Sequence, residues 1–241
     1  MSLIEPVQSA RRSIKDIRAR VMGNHPAWDE LRDARIGLLS RQINLLDNML
    51  LGVLYLEHQL NHDAWWHANW HSEMPTWAVD LHSREFYRFL KGAFIQSQFS
   101  SVENALRLFV RTIDPTACGG AYGEFKGVYD WLLVRSQVTQ YGALLDLMRC
   151  IRNTIHNNGF YSHQNRRDVT ITYKSTTMDF KHGHAIEVPW PFLVALASEV
   201  GQMSADIIES PVVSSVSEII DPFADRFPEG HTRGVSFPPF A

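Results

Sequence analysis

At 241 residues, 45% hydrophobic and 20% charged, the chain carries enough apolar material for one substantial core and has the composition of an ordinary folded protein, which excludes a disordered chain. A net charge of −3 with a pI of about 6.4 excludes coating of nucleic acid by bulk electrostatics, so any RNA contact is local. No apolar run approaches a membrane span and no apolar stretch follows the basic positions Arg11, Arg12, Lys15 and Arg18, so neither a secretory signal nor membrane contact is expected and the protein reads as cytoplasmic.

In chain order, residues 6 to 22 set basic side chains between sparse apolar ones, which predicts a short, partly exposed helix ended by Gly23 and Pro26. From 29 to 60, Leu39, Ile43, Leu46, Leu50, Val53 and Leu60 recur at steps of three and four, the mark of a long bundle helix whose seam Glu57 interrupts. A third helix starts around Pro75 and runs to Ile113, where Asp114-Pro115 stops it, with a break expected near Gly92. The loop Cys118-Gly-Gly-Ala-Tyr-Gly123 leads into a fourth helical region, 123 to 157, bending near Gly142. Asp168 to Tyr173 alternates like a strand, Ser175-Thr-Thr turns, and Met178-Asp-Phe180 alternates again, predicting a β-hairpin with a third short strand at 185–188. Phe192, Leu193, Leu196, Val200, Met203 and Ile207 mark a last helix, 191–209. Asp221 to Ala241, rich in Pro and Phe without period, reads as an extended tail. The expected fold is all-α, a bundle of about five helices with a small β-hairpin between the fourth region and the last helix. It divides into an N-terminal helix (1–28), a helical domain (29–220, hairpin at 168–188) and the tail (221–241).

The fourth region ends in the chain's most informative stretch, Arg149-Cys-Ile-Arg152-Asn153-Thr-Ile-His156-Asn157-Asn158-Gly159. At about 100° per residue, with Arg149 at zero, Asn153 falls at about +40°, His156 at about −20° and Arg152 at about −60°, so the four form one polar stripe. Leu144, Leu147, Ile151 and Ile155 fall on the opposite face, which must be buried. Gly159, helped by Asn157 and Asn158, closes the helix near 157 or 158 and leaves His156 in its last turn. There a histidine also serves a purely structural role, bonding free carbonyls and complementing the helix dipole. Asn157, Arg166 and Arg167 adjoin it and offer further contacts to a nucleic acid.

Long helices with an arginine–asparagine pair and a late histidine followed by Asn-Asn-Gly resemble the HEPN superfamily, over most of residues 30 to 210. A second touch is Glu103 and Arg107, four apart on the third helix, similar to a Glu-to-Arg pattern on an earlier helix of such proteins and equally readable as an ordinary intrahelical ion pair. The resemblance implies a metal-independent endoribonuclease without cofactor, acting as a toxin or antiviral-defence effector. It also implies a homodimer that pairs its motif helices, with an antitoxin or sensor protein as a further partner. The family motif is Arg, four to six residues, then His. Arg149 and His156 have six residues between them, whereas Arg152 and His156 have three; a polar residue commonly follows the motif arginine, and here Asn153 follows Arg152 while Cys150 follows Arg149. Both arginines therefore stay in play.

The chemistry asks for these residue types. Imidazole alone has an unperturbed pKa close to working pH, so His156 would act as base toward a 2′-hydroxyl or acid toward the leaving 5′-oxygen. Arg149 or Arg152 would donate paired hydrogen bonds to the phosphorane, and Asn153 would bond a phosphate oxygen or fix the ring tautomer. The alternative is a non-catalytic module that binds RNA, a nucleotide or a protein.

His58, His62, His67 and His71, with Asp63 among them, have metal-compatible spacing. Trp65, Trp66, Trp70 and Trp77 share the region, so packing or an interface is the favoured reading and no metal is expected. Cys118 and Cys150, in separate segments, read as free thiols.

Overall fold

A computed structural model describes residues 2–70 and 73–224. Among these residues the chain forms eight helices, more than the five expected, and a two-stranded antiparallel hairpin. No helix among them is long and apolar enough to cross a membrane.

Helix α1 (Ile4–Asn24) buries Val7, Ala10, Ile14, Ile17 and Val21, spaced three and four apart, against α2 (Ala34–Tyr55) and α7 (Trp190–Glu209). Its first turn is met by Glu57, whose carboxylate accepts from the Ser2 hydroxyl and the Leu3 amide. The residue that interrupts the apolar seam thus places negative charge at a helix N-terminus. Helix α2 starts five residues later than expected. The Asp29 carboxylate accepts from the amides of Leu31 and Arg32 and holds a turn, and Asp33 then caps the helix by accepting from the Arg35 amide. The helix ends at Tyr55 and widens into one π-helical turn, Leu56–Leu60.

Helix α3 (Asp63–Asn69) is too short for a legible period. Its Trp66 is buried with Leu56, Leu60 and Val79 in a small second core, where the indole N–H and the Ser83 hydroxyl both donate to the Leu60 carbonyl at the end of the π turn. Trp70 and Trp77 remain exposed. Helix α4 (Thr76–Ile113) crosses Gly92 unbroken, contrary to expectation. A helical glycine costs only about 1 kcal/mol against alanine, and the buried positions Phe94, Ile95, Phe99 and Val102 just beyond hold the helix to the core.

The fourth region is two helices, α5 (Phe125–Arg135) and α6 (Gly142–His156), rather than one bent at Gly142. The break falls at Gln137, whose φ of 58° is left-handed; the amides of Gln137 and Val138 close α5 onto Val134 and Leu133, and a 3₁₀ turn (Thr139–Tyr141) leads into α6. Strands β1 (Val169–Tyr173) and β2 (Thr176–Phe180) pair Tyr173 with Thr176, so the turn is Lys174-Ser175, one residue earlier than predicted. Lys174 takes the positive φ that a two-residue hairpin demands. The third strand does not form. Residues 183–186 bond instead to the segment leaving α6, through Ile186 N–H to Gly159 and Tyr161 N–H to His184, which leaves only a Phe160–Ala185 bridge.

Helix α7 packs against α1, α2 and α4 and is buried at Leu193, Leu196, Ala197, Val200, Met203 and Ile207. A Cβ on Gly201 would stand 2.8 Å from Ile14 Cγ1, so the glycine permits α1 to pack closely. After α8 (Pro211–Ser214) the chain returns to the start of α2. Arg35, fully buried, donates to both carboxylate oxygens of Asp33 (2.9 and 2.5 Å) and to the carbonyls of Val213 (3.1 Å) and Val216 (2.8 Å), with its guanidinium 3.7 Å over the Trp28 ring. Asp221 ion-pairs with Arg41, and a Cβ on Gly37 would collide with its carboxylate. Of the tail read from the sequence, only Asp221–Ala224 are described; 225–241 lie outside the described residues.

Candidate functional site

The motif residues lie on the second half of α6, a strongly amphipathic helix. Leu144, Leu147 and Ile151 are buried as the wheel predicts, joined by Leu145, Met148, Cys150 and Thr154, while Ile155 is half-buried. The helix ends at His156. Asn158 and Gly159 take left-handed φ values of 54° and 89°, and the Gly159 amide returns to the Thr154 carbonyl at 2.7 Å, the close expected of Asn-Asn-Gly. His156 is exposed in the last turn.

The two arginines have different surroundings. Arg149 Nη2 donates to Asp146 Oδ1 at 3.1 Å, and the same oxygen accepts the Tyr129 hydroxyl at 2.6 Å, with Lys126 Nζ 3.5 Å from the other. Burial alone would raise the Asp146 carboxyl, yet the bonds from Tyr129 and Arg149 and the charge of Lys126 outweigh it and hold it below the usual carboxylate range. The partner shifts agree: burial opposes the Arg149 charge, but its bond to Asp146 raises its pKa, and burial and Asp146 both raise Tyr129. Arg149 is therefore already neutralised.

Arg152 has no carboxylate partner among the described residues. Its guanidinium lies 5.1 Å from the Phe99 ring centroid, and Nη1 donates to Asn153 Oδ1 at 3.3 Å, which leaves the Asn153 amide hydrogens for another acceptor. Along the helix Arg152 is about 6 Å from His156 and Arg149 about 10.5 Å, at 1.5 Å of rise per residue. Arg152 is thus the arginine one turn from the histidine.

Glu103 and Arg107 form the expected ion pair at 2.7 Å, and Arg107 also donates to the carbonyls of Ala121 (2.6 Å) and Gly123 (2.9 Å), tying the Cys118–Gly123 loop to α4. Its guanidinium lies 5.5 Å from Phe125, which meets Phe99 edge-on at 5.4 Å. One buried strip of rings, Phe99–Phe125–Tyr129, therefore runs beneath Arg152, Arg107 and Lys126, linking the two polar touches of the sequence. Sequence reading missed Asp146, Tyr129, Lys126, Phe99 and Phe125. Asp146, three residues before Arg149, was legible as a helix pair; the others become neighbours only through packing.

The remaining candidates are not drawn in. Asn157 bonds the Asn153 carbonyl at 2.9 Å, and Arg166 and Arg167 are exposed, with no side-chain hydrogen bond or ion pair to the motif among the described residues. Cys118 and Cys150 are free; burial pushes the Cys150 thiol up, and burial likewise pushes the adjoining Tyr161 up to about 12. No group of three or more metal-ligating side chains occurs among the described residues; His58, His62 and Asp63 are exposed, His67 Nε2 lies 3.0 Å from the Met74 carbonyl, and His71 lies outside the described residues. Comparison of the chain with protein families, with curated proteins and with solved structures found no match in any of the three.

Proposed function

We propose that the chain is a metal-independent endoribonuclease of HEPN type. The observation that carries this reading is the exposed His156 with Arg152 one turn before it on the same helix face, unpaired with any carboxylate and resting on Phe99. In this reading His156 takes the 2′-hydroxyl proton or protonates the leaving 5′-oxygen. Arg152 and the Asn153 amide receive the charge that builds on the phosphorane, while Arg149 stiffens the helix through Asp146 and Tyr129. Products carry a 2′,3′-cyclic phosphate and a 5′-hydroxyl, since the substrate's own oxygen attacks. His156 lies on an open surface, so a second copy laid across α6 supplies the exclusion of water that the chemistry needs. The role of toxin or antiviral-defence effector, with an antitoxin or sensor as partner, rests on the resemblance alone.

A second reading, a non-catalytic module for RNA, nucleotide or protein, is favoured by the neutralisation of Arg149 and the open setting of His156. Purified wild type, His156→Ala, Arg152→Ala and Arg149→Ala are incubated with tRNA and total RNA in excess EDTA, and fragment ends are analysed. The enzyme reading requires cleavage to cyclic phosphate that is lost in His156→Ala and Arg152→Ala; the same fragments from wild type and His156→Ala, or none from either, overturn it.

A further inference from the structure

Helix α4 lies beside the motif half of α6, and two contacts fix how they face each other. A Cβ on Gly92 would stand 3.9 Å from Ile155 Cγ2, and the Phe99 ring centroid is 5.1 Å from the Arg152 guanidinium. Rising numbers on α4 therefore meet falling numbers on α6, so the two helices run antiparallel along the motif. Gln96 comes four residues after Gly92 and three before Phe99, spacing that puts all three on one helix face. It thus stands between the two contacts, at the level of Arg152.

Both residues carry a buried polar atom with nothing to bond. Gln96 Oε1 and Arg152 Nε are closed off from solvent and have no hydrogen-bond partner among the described residues. The Gln96 carboxamide is held by its other end, where Nε2 donates to Ser100 Oγ at 3.2 Å. A carbonyl that lacks a donor thus stands across from an N–H that lacks an acceptor, and leaving such groups buried and unbonded costs stability. A second unpartnered donor, Arg149 Nε, belongs to a residue about 4.5 Å further along α6 from this level, and the Arg149 guanidinium is already tied to Asp146.

We infer that Gln96 is a positioning residue for Arg152: when a phosphodiester draws on the guanidinium, Gln96 Oε1 receives the Arg152 Nε–H and holds both Nη nitrogens toward the phosphate. A guanidinium fixed at Nε keeps its Nη nitrogens as a fork for paired bonds to phosphate oxygens, whereas the 3.3 Å bond from Nη1 to Asn153 Oδ1 alone leaves its plane unfixed. Neither atom is bonded in the unliganded chain, so the bond is gained on binding and counts toward affinity. The inference rests on the ribonuclease reading in taking the phosphodiester to be RNA.

The test measures, by fluorescence anisotropy, binding of a 2′-O-methyl RNA oligonucleotide, which lacks the attacking hydroxyl and so is not cut. Gln96→Leu, which removes the acceptor at similar volume, is made in the wild-type, Arg152→Ala and Arg149→Ala full-length chains. It should weaken binding about tenfold, the effect of one hydrogen bond to a charged group, in the wild-type and Arg149→Ala chains, and cause no further loss in Arg152→Ala. Its melting temperature should be no lower than that of wild type, because an apolar isostere replaces an acceptor that had no partner. Unchanged affinity, a loss of equal size in all three chains together with a lowered melting temperature, or no binding by wild type overturns the inference. Binding coupled as expected, with no cleavage of unmodified RNA by wild type, would overturn the ribonuclease reading and leave the positioning role standing.

Discussion

Arg35→Met tests what holds the end of the chain to the rest. The native guanidinium is fully buried, donates four hydrogen bonds within 3.1 Å and covers Trp28; Asp33, its carboxylate partner, is 4% exposed. Methionine keeps most of the stem volume but leaves the Asp33 carboxylate with the residue-35 amide alone and takes the guanidinium donor from the Val216 carbonyl, while the Val213 carbonyl keeps the Val216 amide. Removing one partner of a buried pair costs about 3–5 kcal/mol, most of it the penalty of the charge left behind. If that account is right, adding Asp33→Asn, which removes the charge yet keeps a capping oxygen, should restore about 2 kcal/mol. Urea denaturation followed by circular dichroism measures both. A loss under about 1 kcal/mol for Arg35→Met, or a double variant no better than the single one, would refute the reasoning.

Asp146→Asn should destabilise the protein at neutral pH. Because the folded-state carboxyl lies below its ordinary value, its contribution is complete above the unfolded pKa of about 3.9 and is lost as pH falls through the folded value. The stability gap between wild type and variant should therefore close on acidification below that point, which chemical denaturation across pH reads; a gap that widens toward acid contradicts the assigned shift. Gly201→Ala gains about 1 kcal/mol of helix propensity but forces a methyl into Ile14 at a cost of about 1–3 kcal/mol. The expected net loss, measured by thermal melting, should shrink in an Ile14→Ala background. An equal loss in both backgrounds would place the clash elsewhere.

The elements that could be read in the sequence are those whose burial is one-sided and long. Helices α6 and α7 reveal their buried faces by spacing, and Asn-Asn-Gly announces where α6 stops. Gln137 ends α5 without glycine, so Gly142, which lies at the start of α6, drew the bend to the wrong place. Helix α3 spans seven residues, fewer than a period needs, and its tryptophan is held by a carbonyl at the end of a π turn that no pattern foretells. At the candidate site, spacing aligned the arginines with His156 but treated them alike. The difference between them is Asp146, together with Tyr129 from α5 and Phe99 from α4, and only folding brings those elements to α6.

Helix α4, about 57 Å long at 1.5 Å per residue, belongs to two hydrophobic clusters of very different size. Its second half is fastened to the main core through Phe94, Phe99, Val102, Leu106 and Phe109, while its first turns hold on to little more than Leu56, Leu60 and Trp66. Unbroken hydrogen bonding does not make such a helix uniformly durable, because opening is governed by what each stretch stands to lose in burial. The Trp66 end can detach and reclose while the rest of the protein stays folded. In amide hydrogen exchange the same helix would then show two opening free energies, low for residues 76–86 and close to global unfolding beyond Phe94, as though a single rod had been cut from two materials.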